Sequence, residues 1–263
     1  MKIFIALLCG FFLFCSCKKD NDNVLAEDMG RMMVSIKMVA GLESLILHDG
    51  IYENSSGEDF NVDILRFYLS NFSFQSIDGR SFIVPQDSAY FLIDAEETTS
   101  MALPFSLPLA EYSSLSFLIG VDSLRSTMDI SKRVGVLDPT TMAGDMYWGW
   151  NSGYIFLKIE GEAPVSPEAG RYLYHIGGFG GYAAPTINNI RKVTLDLKSN
   201  GNAIVKNDKI SEVVLQADIL KIFEGNTRVS IQEHPAEMFT LFSSNIADNY
   251  ACCMFSHSET INQ

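Results

Sequence analysis

The sequence predicts an all-β protein, an antiparallel β-sandwich with one short C-terminal helix. Apolar residues recur with period two in many short segments, which is the spacing of side chains on one face of a strand. Turn residues separate these segments, as Asp78-Gly79 does between two apolar runs. Apolar residues have a helical spacing in one late segment, 236–249, which predicts the helix. Of the 263 residues 47% are hydrophobic, so we expect one domain with a large core.

The first residues indicate export from the cytoplasm. Lys2 precedes an apolar run that is too short for an ordinary membrane span and fits a secretory signal. The run ends at Phe14-Cys15-Ser16-Cys17, which resembles a bacterial lipoprotein signal with Cys17 as the lipid-bearing N-terminus. The chain then divides into a signal peptide (1–16), a lipidated N-terminus and flexible tether (17–31) and the folded domain (32–263). We expect an outer-membrane lipoprotein, on the periplasmic face or the cell surface; the alternative is a plain signal peptide or anchor.

The predicted strands follow one another along most of the domain. Residues 123–145 interrupt them with a polar, irregular stretch of the kind that often shapes a binding site. The predicted helix follows His234-Pro235, and its apolar stripe consists of Met238, Leu241, Phe242 and Ile246. The segments predicted as strands are 33–39, 62–74, 81–84, 89–94, 101–107, 115–122, 154–159, 171–176, 191–197 and 211–223.

Both tryptophans, Trp148 and Trp150, lie just before the strand at 154–159. In an extended chain they point to the same face, because side chains two residues apart do so. Two indoles on one face most often belong to a core, since each carries a large apolar area. The alternative, functional interpretation is that the indoles form a site with a polar side chain, for which His175 is the candidate.

The net charge and the small number of cysteines in the folded part argue against some classes of protein. The formal net charge of −13 argues against nucleic-acid binding, which needs clustered basic residues. Only Cys252 and Cys253 follow the N-terminal segment, so the sequence holds no disulfide framework. A disulfide between neighbours is strained, and we expect the pair to serve packing; soft Cu(I) ligation is the alternative.

The sequence carries no recognised catalytic motif. It lacks HExxH, GxSxG and kinase signatures, and the glycines at 177–181 read as a flexible turn. A hydrolase would need converging carboxylates, and the candidates for it are Asp122, Asp138, Asp145 and Glu160. No two histidines have the i, i+2 or i, i+4 spacing of a local chelate, so any histidine metal site must form across strands; the four are His48, His175, His234 and His257.

Several ordered motifs resemble one known family, the MbnP-like copper-binding domain, which has lipoprotein members in Bacteroidetes. The resemblance covers residues 32 to 257. The matching motifs are Phe67-Tyr68-Leu69-Ser70-Asn71, Ile119-Gly120-Val121-Asp122-Ser123, Leu137-Asp138-Pro139, residues 146–154, Glu160-Gly161, and Tyr174-His175-Ile176-Gly177-Gly178.

The resemblance implies a secreted β-sandwich that binds copper and is not an enzyme. Its site would combine histidine nitrogen with kynurenine, a tryptophan oxidised by a diheme peroxidase-like partner. Carried onto this chain, the ligands are His175 and one of Trp148 or Trp150. His48 is a candidate for a second histidine, with His234 and His257 as other options. The alternative is a structural or interaction lipoprotein in which these side chains only pack the sandwich.

Overall fold

The computed structural model describes residues 29–149 and 153–263. The predicted signal peptide, Cys17 and Trp150 lie outside these residues. The described chain forms mainly strands, with three short α-helices: α1 (Ser123–Ser126), α2 (Leu220–Phe223) and α3 (Ser243–Asn249). The strands are β1 (Met29–Ala40), β2 (Glu43–Ser44), β3 (Tyr52–Glu53), β4 (Asp59–Phe60), β5 (Ile64–Ser76), β6 (Ser81–Ile83), β7 (Tyr90–Asp94), β8 (Ala102–Pro108), β9 (Ala110–Ile119), β10 (Tyr147–Trp148), β11 (Gly153–Glu162), β12 (Arg171–Gly177), β13 (Arg191–Asp196), β14 (Ala203–Val205), β15 (Ile210–Asp218), β16 (Ala236–Glu237) and β17 (Phe255–Asn262).

Two sheets form the sandwich. The small sheet has the order β17-β15-β1-β2, with β8 also paired to β1. The large sheet has the order β13-β9-β5-β11-β12-β16, with β6 and β7 on β5, β14 on β9 and β10 on β11. Most pairs are antiparallel, whereas β1 pairs with β15 in parallel. The predicted all-β sandwich is therefore confirmed, although each sheet includes one parallel pair, β1–β15 in the small sheet and β12–β16 in the large sheet.

The main core lies between the two sheets. Aromatic contacts join the layers: the Phe255 ring of the small sheet meets Phe67 and Phe117 of the large sheet edge-on, with ring centroids 5.8 and 5.1 Å apart. Phe67 and Phe117 are fully buried. Edge-to-face packing of this kind adds to the burial of apolar area that drives the layers together.

The other side of the large sheet, here called the outer face, is also covered. Residues 120–149 cross it and enclose a second apolar cluster, which includes Tyr68, Trp148 and Phe156. The Tyr68 and Tyr154 hydroxyls bond to the backbone oxygens of Val136 and Leu137 at 2.8 and 2.6 Å, which fastens this segment to β5 and β11. This covering explains why Gly153 to Ile159 are all buried in β11. The central strand thus has two covered faces.

The predicted helix over 236–249 is wrong in its first half. Ala236 and Glu237 instead form β16, paired in parallel with β12, and α3 begins only at Ser243. The helical spacing of apolar residues gave a wrong prediction here, because Leu241 is 86% exposed and is not part of a buried helix face. The Glu237 carboxylate bonds to His234 Nδ1 at 2.9 Å and to Thr240, which holds the chain in a turn.

Two further differences lie near the C-terminus. Cys252 and Cys253 form a disulfide, against the expectation that they only pack. They lie in a π-helical turn (Tyr250–Met254) that joins α3 to β17, a strand that the sequence pattern did not reveal. No helix among the described residues is long and apolar enough to cross a membrane.

Candidate metal centre on the outer face

A row of charged side chains crosses the outer face of the large sheet. Strand register places His175 of β12 opposite Lys158 of β11, Lys158 opposite Arg66 of β5, and Arg66 opposite Asp94 of β7. Side chains directly opposite one another share a face, so four strands contribute to one polar row. The row lies beside the apolar cluster under residues 120–149.

His175 is held by a carboxylate from the neighbouring strand. Its Nε2 lies 2.7 Å from Glu160 Oε1, and its side chain is 16% exposed. Burial lowers the pKa of His175 below its ordinary value, although the hydrogen bond and charge of Glu160 oppose this effect. Although burial alone acts to raise it, the pKa of Glu160 is lowered by the His175 hydrogen bond and the Lys158 charge. At neutral pH a neutral imidazole therefore faces an ionised carboxylate.

This contact also selects the tautomer of His175. A carboxylate can only accept a hydrogen bond, so Nε2 must carry the proton that is donated to Glu160. Nδ1 then holds the lone pair, and among the described residues no hydrogen bond to it is present. Histidines that bind metal commonly donate their other N–H to a carboxylate in this manner. The His175–Glu160 pair thus has the arrangement of a ligand with its orienting partner.

Asp145 ties the tryptophan-bearing segment to the row. Its Oδ2 accepts from Lys158 Nζ and Arg66 NH1, each at 2.9 Å. The hydrogen bond from Lys158 is the main cause that lowers the pKa of Asp145. The Lys158 side chain is only 7% exposed, so its ammonium has lost most of its contact with water. The Asp145 carboxylate replaces part of that lost solvation. Asp145 comes three residues before Trp148 and anchors that residue's approach to the sheet.

Trp148 packs against the strand that carries His175. A Cβ atom added at Gly177 would lie 2.7 Å from Trp148 Cζ3 and 2.5 Å from the Tyr154 backbone oxygen, so only glycine leaves room for the indole. His175 and Gly177 are two residues apart on β12 and face the same side. The Trp148 indole therefore covers the face from which the His175 imidazole projects. Phe239 meets the indole edge-on at 6.2 Å, and Trp148 is 7% exposed.

His48 lies beside the same charged network but is not in contact with His175. It is in a turn with φ of 65°, and its ring nitrogens are 3.5 Å from Asp63 Oδ1 and 3.4 Å from Glu96 Oε1. Arg66 NH2 lies 3.8 Å from Glu96 Oε2. The described contacts thus join His48 to His175 only through intervening ion pairs.

The other two histidines have different surroundings. The His234 ring stacks on Phe242 with centroids 3.5 Å apart. His257 lies on β17 of the small sheet, and its Nε2 is 2.9 Å from Thr260 Oγ1. Neither contacts His175 in the described structure. Trp150, the second candidate indole, is outside the described residues.

Three of the four candidate carboxylates of a hydrolase contact different partners, whereas Glu160 shares Lys158 with Asp145, since its Oε1 lies 3.4 Å from Lys158 Nζ. Asp122 bonds to Tyr90 and caps α1, Asp138 bonds to Thr140, and Asp145 belongs to the charged row. Within residues 29–149 and 153–263, no three histidine, cysteine, aspartate or glutamate side chains are placed to hold a metal ion together. The described site therefore offers one imidazole nitrogen without a hydrogen bond, on the strand against which the Trp148 indole packs at Gly177, two residues away.

Fold and site define a class: an all-β domain of two sheets whose outer face combines an oriented histidine with a tryptophan. The MbnP family model matches residues 30–241, and the chain belongs to the MbnP family. MbnP from Methylosinus trichosporium has a similar fold, with 16% sequence identity and a TM-score of 0.56 over 86% of this chain and 83% of that chain. No curated protein matches the chain.

Sequence reasoning selected His175 and Trp148 but not the groups around them. From the sequence alone, Asp145 is named only as a hydrolase carboxylate, and Glu160 as such a carboxylate and as part of the Glu160-Gly161 motif. A signal for Glu160 was present, because it lies two residues from Lys158 on the same face of a strand. No sequence signal pairs β11 with β12 in the register that brings Glu160 to His175.

Proposed function

We propose that the protein is a lipid-anchored protein of the cell envelope that binds copper for acquisition or delivery. His175 and one of the tryptophans, Trp148 or Trp150, are the proposed ligands. The protein holds the metal and does not turn over a substrate. Its anchor is the acylated Cys17 in the outer membrane.

The observation that carries this proposal is the setting of His175. Its Nε2 is held by Glu160 at 2.7 Å, its pKa is lowered by burial, and the Trp148 indole packs on Gly177 two residues away. Membership of the MbnP family supports the same assignment, because the matched range includes both residues. Imidazole nitrogen is a good ligand for copper, and Cu(I) accepts low coordination numbers.

The tryptophan needs chemical change before it can ligate. An indole N–H is a hydrogen-bond donor only and has no lone pair to offer. Oxidative opening to kynurenine, with a peroxide as oxidant and release of one ring carbon as formate, would leave an aniline nitrogen with a lone pair. A diheme peroxidase-like partner is the proposed catalyst of this change. Asp145, bonded to Lys158 of β11 and Arg66 of β5, holds this segment on the outer face of the large sheet.

The test is a Cu(I) titration of protein purified from its native host, so that any partner-dependent oxidation is present. We expect one copper per chain, and loss of most of the affinity in His175→Ala. His234→Ala is the matched control, since this histidine bonds to Glu237 away from β11 and is expected to retain copper. Mass spectrometry of the peptide that carries Trp148 and Trp150 should show, on one of them, the gain of one oxygen and the loss of one carbon that convert tryptophan to kynurenine.

The same measurements separate copper binding from a purely structural role. If wild type and His175→Ala bind equally little copper and both tryptophans are unmodified, the side chains only pack the sandwich. His175→Ala would then lower the melting temperature without changing any metal affinity. In that case copper would not raise the melting temperature of wild type, because a ligand that binds the native state must stabilise it.

The anchor is tested by Cys17→Ser. Wild type should fractionate with membranes and incorporate labelled palmitate, whereas the variant should do neither. Retention of the variant in the membrane fraction would contradict the lipid anchor. This result is independent of copper binding, since Cys17 precedes the matched domain.

A further inference from the structure

The adjacent cysteines form an exposed feature that the copper site does not use. Cys252 and Cys253 are joined in a disulfide, and both residues are exposed. No other cysteine follows Cys17 in the sequence. Within the folded domain, reduction would therefore release two thiols with no third one to exchange with.

The Cα atoms that this disulfide joins are unusually close together, because the two cysteines are adjacent in the sequence. The two Cα atoms are 3.7 Å apart, as a trans peptide requires. Disulfides between separate segments usually span about 4.4–6.8 Å, and departures from that range make the bond easier to reduce. Since both residues are exposed, a thiol or phosphine reductant can also reach the bond. Exposed and strained disulfides are the reactive class, in contrast to buried structural ones.

The turn that carries the cysteines is held by contacts that do not involve the disulfide. Asn249 is fully buried, and its Nδ2 donates to the backbone oxygens of Ile222 at 3.1 Å and Thr227 at 2.6 Å. The Asn249 Oδ1 accepts from Thr227 N at 2.9 Å. Reduction would leave these bonds intact, so the two thiols would stay next to each other on a fixed support.

The surroundings of Cys252 also suit a thiol. Its Sγ lies 3.2 Å from the Asn249 backbone oxygen, to which a thiol could donate. A Cβ at Gly225 would lie 3.0 Å from the same Sγ, so the glycine lets the preceding loop approach the sulfur closely. The pair lies between α3 and β17, whereas His175 lies on β12.

We propose that the reduced Cys252–Cys253 pair is a binding site for one soft, thiophilic cation, and that the disulfide is its closed form. Thiolate is the soft ligand that such cations select over imidazole or carboxylate. Opening occurs by exchange: a dithiol reductant gives two electrons and two protons to the pair and becomes a disulfide itself. Two thiolates presented together bind more tightly than either alone, because the second bond forms within one molecule.

The probe is phenylarsine oxide, which condenses with two thiols and releases one water. The full chain is reduced with a phosphine, which becomes its oxide, and is then titrated without oxygen. We expect one equivalent of phenylarsine oxide to bind at the cysteine pair of the reduced wild type. None should bind there in the oxidised protein. Cys252→Ser and Cys253→Ser should each weaken that binding by about 100-fold, at the low end of bivalent gains.

The Cys252→Ser/Cys253→Ser double variant is the control for any thiols near the N-terminus. Equal arsenical uptake by the reduced wild type and the double variant would overturn the proposal, as would a pair that resists reduction. If a serine variant fails to fold by circular dichroism, the alanine variants replace it.

The cysteine site and the proposed copper site can be tested independently. His175→Ala should still bind the arsenical at the cysteine pair, and the double cysteine variant should still bind copper at His175. In the His175→Ala background, reduction should add one Cu(I) to the bound metal.

Discussion

At His175 two physical effects act on one imidazole in opposite directions. Burial disfavours the charged ring, whereas the Glu160 carboxylate favours it, and burial prevails in the pKa. The outcome is a neutral ring with a fixed proton on Nε2. A ligand histidine needs both properties, because the metal competes with protons for the same lone pair.

Replacing Glu160 by Gln should lower the pKa of His175 further. The substitution removes the negative charge that favours the imidazolium and replaces the carboxylate acceptor with a weaker, neutral amide oxygen, and it leaves the burial that disfavours the charged ring. The His175 titration can be followed by NMR of its ring protons. Glu162→Gln is the control, since its carboxylate lies 3.8 Å from Arg171 NH1 and has no contact with His175. A higher His175 pKa in Glu160→Gln would contradict the assigned contact.

Single residues could be selected from the sequence only where a motif marked them. His175 and Trp148 belong to such motifs. Arg66, Lys158 and Asp94 form one row with His175 only because four strands pair in one register. Register depends on contacts between segments far apart in sequence, and a single sequence does not display them.

At the scale of elements, β10 and the turn before it form a short cover that depends on few anchors. β10 pairs with β11 through Tyr147 and Trp148 alone. Asp145 adds ion pairs to Lys158 and Arg66 at the start of this cover. Such a short element is stabilised mainly by its tertiary contacts, so the loss of one anchor should loosen it locally.

Asp145→Ala should free the cover while leaving the sandwich folded. We expect faster amide hydrogen exchange at residues 145–149 and a red shift of Trp148 fluorescence, measured in a Trp150→Phe background. Global stability should fall by only about 1 kcal/mol, because the Asp145 side chain is 57% exposed and Glu160, 3.4 Å from Lys158 Nζ, still pairs with the buried ammonium. Asp196→Ala removes a comparable surface partner, that of Lys198 at 3.7 Å, and should change neither signal. An unchanged exchange rate in Asp145→Ala would show that Asp145 does not anchor the cover.

Element prediction succeeded where the side-chain period was clear and failed where local polar bonds decided the backbone. Alternation identified most strands of both sheets, including β5, β11 and β12. β17 was missed because its sequence, Ser-His-Ser-Glu-Thr after Phe255, is polar on both faces. The 236–249 helix failed because Glu237 bonds to His234 and Thr240 and so favours a turn.

The whole molecule is a two-layer structure whose stability rests on contacts between the sheets. Phe117 of the large sheet is fully buried and meets Phe72 of its own sheet and Phe255 of the small sheet. Its position lets one side chain contribute to both layers. The outer-face site is built on this support, so precise placement of His175 requires the sandwich to be intact.

Phe117→Ala should lower the free energy of unfolding by about 3–5 kcal/mol, the cost of a large cavity in a tightly packed core. Urea denaturation followed by circular dichroism measures this change. Phe82→Ala on β6 is the control; because this side chain is only partly buried, about 1–2 kcal/mol is expected. Equal losses in the two variants would contradict a core centred between the sheets.

Stability of the whole domain should also decline as the pH falls below 6.5, the ordinary histidine value, because burial lowers the pKa of both His175 and His257. In this range the unfolded chain binds protons that the native imidazoles do not, so the slope of unfolding free energy against pH is positive. The stability present above pH 6.5 is lost progressively down to the native pKa values. Urea denaturation in steps between about pH 7.5 and pH 5 measures the slope. His175→Gln and His257→Gln should each flatten it, and Ser256→Ala, beside His257 but without a titrating group, should keep the wild-type slope. Variant slopes equal to that of wild type would mean that neither imidazole is held neutral by the fold.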